Sequence, residues 1–117
     1  MIVKMNINQK YIWFIKNGKK KIEVRLYDEK RRRLKRGDII LVNNGDLKLK
    51  VKDIRTYNSF RELLLKEGFK NVIPMASSLE EALRELYNIY SPEEEKKWGV
   101  VAIEIEPIQD ISPSDTQ

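Results

Sequence analysis

NGKKKIEVRLYDEKRRRLKRGD, residues 17–38, decides how the rest of the chain is read. Its centre alternates Ile22, Val24 and Leu26 with Glu23, Arg25 and Tyr27. A period of two marks a half-buried strand, here with one charged face. Gly18 just ahead can end a helix, and Gly37 closes the connector that follows. From Lys16 to Arg36 there are 11 Lys/Arg against 3 acids, while the remainder holds 12 against 15. The overall charge of +5 is therefore focused on one segment. Such a segment is either a surface that meets a polyanion or a solvated basic face.

Outward from this strand the pattern is regular. Toward the N-terminus, Val3, Met5 and Ile7 alternate with Lys4 and Asn6, a short strand. Tyr11, Phe14 and Ile15 then fall at helical spacing, with Asn8 as cap. Toward the C-terminus, DIILV (38–42) fits a buried strand, and Asn44-Gly45 predicts a hairpin into LKLKVKDI (47–54). Three helix starts follow: Ser59 and Ser78, with Glu62 and Glu81 three residues later, have the spacing of a capping box, and Ser91 is followed by Pro92 at the first helical position. VVAIEIE (100–106) is a last strand, ended by Pro107. Hairpin-linked strands mixed with helices predict an α+β fold, or a small barrel whose closure removes exposed edges. One domain is expected over residues 1–108, with a polar, disordered tail over 109–117.

Composition narrows the chemistry. Cysteine and histidine are both absent, so disulfides, thiolate chemistry and His-based catalysis have no residues to work with, and zinc loses its usual ligands. No metal or cofactor is expected. Charged residues make up 35% of the chain, a Lys/Glu-rich balance common in thermostable proteins. MIVKMNINQK carries no apolar targeting region and no apolar run approaches bilayer length, so a soluble, cytoplasmic protein is expected.

The spacing Gly18-x-Lys20-x-x-Glu23-x-Arg25 resembles the G-x-K-x-x-E-x-R signature of the ASCH domain, a member of the PUA-like superfamily. The continuation RLYDEKRRRLKRGDIILV resembles that family too, in which a G-D pair opens the next strand, and WGVVAIEIEPI fits its last strand. The likeness runs from the first strand to about Ile108. It implies a five- to six-stranded PUA-like β-barrel with flanking helices and a cleft beside the motif that binds RNA or a nucleotide. Members of the family are linked to RNA processing, to transcriptional coactivation and, in one bacterial branch, to hydrolysis of N4-acetylcytidine. That branch pairs the motif lysine with a threonine three residues later and with a glutamate ahead of a later helix. Here Lys20 matches, Glu23 stands in the threonine's place, and VIPMASS (72–78) has no acid.

The residues carry open alternatives. Arg25 offers a planar fork to a phosphate or base edge, or pairs with Glu23 at the surface. Lys20 is a point charge for the same pocket, or a solvated lysine among three. Glu23 accepts from a base amino group, acts as a general base, or neutralises the lysines and holds Arg25. Tyr27 shares their strand face and can stack on a base; Trp13, Tyr57 and Trp98 are further aromatic candidates, or core. Arg31, Arg32, Arg33, Lys35 and Arg36 form a rim that attracts a polyanion. The leading reading is an RNA- or nucleotide-binding module without cofactor. The alternative is a small hydrolase in which Lys20 and Glu23 form an acid–base pair and Arg25 stabilises developing charge. A protein-interaction adaptor is the third class.

Overall fold

The computed structural model describes residues 1–108; the tail expected over 109–117 lies outside them. Its elements run β1 (Ile2–Met5), α1 (Gln9–Lys16), β2 (Ile22–Leu26), β3 (Ile39–Val42), β4 (Leu47–Tyr57), α2 (Phe60–Glu67), α3 (Phe69–Val72), α4 (Leu79–Tyr87), α5 (Pro92–Trp98) and β5 (Val100–Pro107). A 3-10 turn at Arg31–Arg33 interrupts the basic connector, and another at Asn43–Gly45 makes the expected hairpin.

The five strands form one sheet in the order β1-β3-β4-β5-β2. The β1–β3 pair is parallel and the other three are antiparallel. Leu47, Leu49 and Val51 of β4 point into the core as their alternation requires. A register shift between Val51 and Asp53 then lets β4 continue along β5. A bulge of this kind bends a strand and strengthens its twist, which curls the sheet. Val100, Val101, Ala102 and Ile103 of β5 are all buried, so the middle of the sheet is covered on both faces.

The fold is α+β as expected, but the sheet is a curled half-barrel rather than a closed barrel. β1 pairs only with β3 and β2 only with β5 among the described strands. The two edges are instead joined by a side chain: Arg25 Nη2 of β2 donates to the carbonyl of Asn6, just past β1, at 2.8 Å. A guanidinium reaches across where a backbone ladder would need the strands in contact.

Local signals explain the remaining elements. Asn8 caps α1, its side chain accepting from Lys10 N at 3.1 Å. Ser59, Ser78 and Ser91 each accept from the backbone of the glutamate three residues on. The reciprocal half of a capping box is found at Ser91–Glu94, whereas Glu81 turns its carboxylate to Ser77. The full boxes expected at Ser59 and Ser78 are thus corrected to a side-chain cap at each, and the reciprocal pair lies at Ser91 instead. Gly37 takes a φ of 92° that a side chain rarely tolerates, which turns the connector so that Gly37 N meets Val51 O at 2.8 Å and β3 can start.

Helices α2 and α4 pack together, burying Phe60, Leu63 and Leu64 of one and Ala82, Leu83 and Leu86 of the other. Glu95 of α5 is buried beside them. Its carboxylate accepts from Phe60 N at 2.7 Å, at the positive end of α2, and from the Tyr87 hydroxyl at 2.6 Å.

Candidate functional site

The motif segment leaves α1 through Gly18, with the N–H groups of Lys19 and Lys20 both donating to Phe14 O. Lys19 and Lys21 point to solvent while Lys20 turns inward and is only 2% exposed. Its Nζ donates to Ile22 O at 2.7 Å and to Val72 O at 2.5 Å, and lies 3.4 Å from Glu23 Oε1. The Tyr11 ring covers it, with Nζ 4.9 Å from the centroid. A buried ammonium is tolerated only when its protons are spoken for, and here two carbonyls and a carboxylate do so.

Glu23 is 4% exposed, so the strand face expected to be half-open is covered. One carboxylate oxygen accepts from Val24 N at 3.1 Å, and the other meets Arg25 Nη1 at 2.9 Å. Arg25 also donates to Val24 O at 2.9 Å and, as described, to Asn6 O. The guanidinium therefore bonds Glu23, its own strand and the far edge of the sheet at once, which only a planar fork can do.

The electrostatics follow from burial and pairing. Burial lowers the Lys20 pKa, and Glu23 opposes that fall. Burial raises the Glu23 carboxyl, but Lys20, Arg25 and the Val24 N–H together outweigh it and hold the group below its ordinary value. Arg25 stays charged, since Glu23 and Tyr90 outweigh its desolvation. Burial, with Arg25 opposing, raises the Tyr90 hydroxyl. The cluster has two cations to one carboxylate.

A cavity of about 260 Å3 opens against it. Its polar wall is Asn6, Asn8, Tyr11, Glu23, Arg25 and Tyr90, and its apolar wall Ile73, Leu86 and Ile89. Glu23 and Arg25 thus share one concavity, with Lys20 behind the wall rather than in it. Tyr27 is elsewhere. Its N–H donates to Gly99 O at 3.0 Å, and its ring lines a separate recess with Tyr57 and Trp98.

The basic run is dispersed by its 3-10 turn. Arg31 pairs with Asp28 at 3.4 Å, Arg32 lies 4.4 Å over the Tyr27 ring, and Arg33 lines a recess beside Trp98. Lys35 is exposed while its N–H donates to Asp38 Oδ2 at 2.8 Å, and Arg36 pairs with Asp53 at 3.0 Å. Trp13, another aromatic candidate, is exposed on α1 with its ring edge-to-face on Phe14.

Four cavity residues were not legible as such in the sequence. Asn6 and Asn8 read as strand and cap, Tyr11 falls at helical spacing with Phe14 and Ile15, and Tyr90 extends the apolar stripe of Leu79, Ala82, Leu83 and Leu86. The one available signal is chemical: a tyrosine in a stripe keeps a hydroxyl that wants a partner when buried.

The family follows from this fold and site together with direct comparison. The ASCH domain model matches residues 5–109, and the chain belongs to that family, within the PUA-like superfamily. It is similar to the hypothetical protein PH0355, known from a crystal structure, at 57% identity and a TM-score of 0.90, over 92% of this chain and 100% of that one. It is also similar to protein PF0455 from Pyrococcus furiosus, known from a solution NMR structure, at 53% identity and a TM-score of 0.82, over 94% of this chain and 100% of the other. No curated protein matches. Among the described residues no helix is long and apolar enough to cross a membrane.

Proposed function

We propose that the chain is an RNA- or nucleotide-binding protein that takes a base or nucleotide into the cavity beside Glu23 and Arg25. The observation that carries this reading is the buried Lys20–Glu23–Arg25 cluster, with its surplus positive charge brought to the cavity by Arg25. A charge fixed in a poorly solvated wall acts on a ligand more strongly than one in bulk water. Glu23 can accept from a base amino group, Tyr90 adds an aromatic wall, and Asn6 and Asn8 bring amides suited to a base edge. The volume suits one base rather than a folded chain. The basic connector adds attraction that does not depend on sequence. Membership of the ASCH family supports the same class of ligand.

The hydrolase reading fits this geometry less well. It needs Lys20 to exchange a proton with the ligand, yet the Nζ is committed to Ile22 O, Val72 O and Glu23 behind the wall. Acid–base chemistry would fall to Glu23 alone, which its neighbours hold as a carboxylate.

Calorimetric titration with mononucleotides and modified cytidines, followed by product analysis, separates the two. Binding without turnover is expected, with Arg25→Ala weakening it by about 1–3 kcal/mol. Turnover of any member of the panel that falls by about 10² in Glu23→Gln would establish the hydrolase instead. Equal affinities for the parent and Arg25→Ala would remove the cavity as the binding site.

A further inference from the structure

Two more recesses meet at Trp98. One, of about 220 Å3, is walled by Tyr27, Tyr57, Asn58 and Trp98. The other, of about 350 Å3, has Lys30 and Arg33 on its rim with Asp28 and Glu29, and shares the Trp98 wall. Cations sit on the rings themselves: Arg32 is 4.4 Å from the Tyr27 centroid and Lys97 4.8 Å from that of Trp98. Backbone geometry brings the rings together. Tyr27 N bonds Gly99 O at 3.0 Å, so the end of β2 is fastened beside Trp98. Gly99 has a φ of 71°, and a Cβ there would press on Tyr57 O at 3.2 Å. A side chain would crowd the floor of the first recess.

We infer that this face is a stacking site for unpaired bases of single-stranded RNA, with Trp98 and Tyr27 as platforms and Lys30, Arg32, Arg33 and Lys97 meeting the phosphates. Aromatic rings interleaved with cations in an open concavity are the composition that single-stranded nucleic acid requires, because every base has a face to stack and every linkage a charge. The Arg32 guanidinium over Tyr27 adds a second planar surface. Of the charged lining residues, Asp28 is paired with Arg31, which leaves Glu29 and Glu62 beside Lys30 and Arg33, and Arg32 and Lys97 on the rings bring the added positive charge. β2 links the two sites. Arg25 on β2 lines the motif cavity and Tyr27, the residue just past the strand's end, lines this face, roughly 7 Å on. A chain with one nucleotide at Arg25 can therefore lay its neighbour on Tyr27. The inference takes RNA as its polymer from the proposed function and otherwise stands on its own residues.

The chain has two tryptophans, so Trp13→Phe leaves Trp98 as the sole indole reporter. In that background, uridine monophosphate and oligouridylates of increasing length are titrated by fluorescence and calorimetry. Quenching of Trp98 and affinity are both expected to rise with length, and duplex RNA of equal length is expected to leave the indole unquenched. Trp98→Leu should weaken oligomer binding by about tenfold or more while leaving the monophosphate unaffected. Because Trp98 also packs on the core, the surface pair Lys30→Gln/Arg33→Gln provides a second measure. It should reduce the log–log salt slope by about 0.7 for each phosphate that is no longer neutralised.

Oligomers that bind with Trp98 emission unchanged and the parent's salt slope in the double variant would overturn the stacking site and leave the cavity reading intact. Equal quenching by duplex RNA would also overturn it. Length-dependent quenching without monophosphate binding, unaltered by Arg25→Ala, would support the stacking site and sink the cavity. Failure of every ligand to bind would overturn both.

Discussion

Lys20 Nζ lies 3.4 Å from Glu23 Oε1, with both side chains almost wholly out of water. The pair is a structural unit before it is anything else, because each ion makes the other's burial tolerable. Lys20 also satisfies the carbonyls of Ile22 and Val72, which would otherwise be buried without a donor from this side. Lys20→Ala is therefore expected to cost about 3–5 kcal/mol in chemical denaturation. Lys20→Met, which keeps the stem and loses the charge, should recover part of that. A cost below about 1 kcal/mol for the alanine variant would mean that the pair does not hold the motif in place.

Stability should fall with acid through Glu23. Burial alone would raise its pKa, but Lys20 and Arg25 with the Val24 N–H bring it below the ordinary carboxylate value of 4.5. The folded state therefore holds the proton more weakly than the unfolded state. The contribution is complete above the unfolded value and is lost as pH drops through the folded one. Thermal midpoints measured from neutral pH into that acid range should decline, and Glu23→Gln should flatten the decline. Parallel profiles for the parent and the variant would show that other carboxylates govern the acid limb.

Arg25→Lys tests the clasp across the open sheet. An ammonium cannot bond Glu23 and Asn6 O together at the angles a guanidinium spans, so it must give up one of the two partners. A loss of about 1.5–3 kcal/mol is expected, the range for a hydrogen bond to a charged group. Hydrogen exchange should quicken along β1, from Ile2 to Met5, more than along the central strands β4 and β5. Unchanged exchange at β1 would show that the edge needs no such tie.

Glu95→Ala should destabilise the helical layer. It removes the acceptor for Phe60 N at the start of α2 and for the Tyr87 hydroxyl, and a buried donor left without an acceptor costs about 1–3 kcal/mol. Glu95→Gln keeps an acceptor oxygen and should cost less. Urea midpoints for the two variants decide it, and equal losses would mean that charge at the helix end matters more than the hydrogen bonds.

Much of the local structure was legible in short stretches. The alternations at Ile22–Leu26 and Leu47–Val51 are strands, Asn8, Ser59, Ser78 and Ser91 cap helices, and Asn44-Gly45 turns a hairpin, because each depends on neighbours within a few residues. The spacing of Gly18, Lys20, Glu23 and Arg25 was enough for the family, since that spacing is set by one helix end and one strand. The short helix α3 was not legible: four residues after a glycine stop carry no periodicity to read.

Whether the sheet closes was a tertiary matter, decided by where β1 and β2 fall in the strand order and by a guanidinium that joins them through Asn6. So was the inward turn of Lys20. Lys19, Lys20 and Lys21 are chemically identical, and what singles out the middle one is the carbonyl of Val72, contributed from 52 positions away. Arg25 and Tyr27 are equivalent by alternation, yet one lines the motif cavity with Tyr11 and Tyr90 while the other opens beside Trp98. Period two assigns a residue to a face of its strand; which part of that face is covered depends on helices packed from distant segments, and those are placed by burial rather than by spacing.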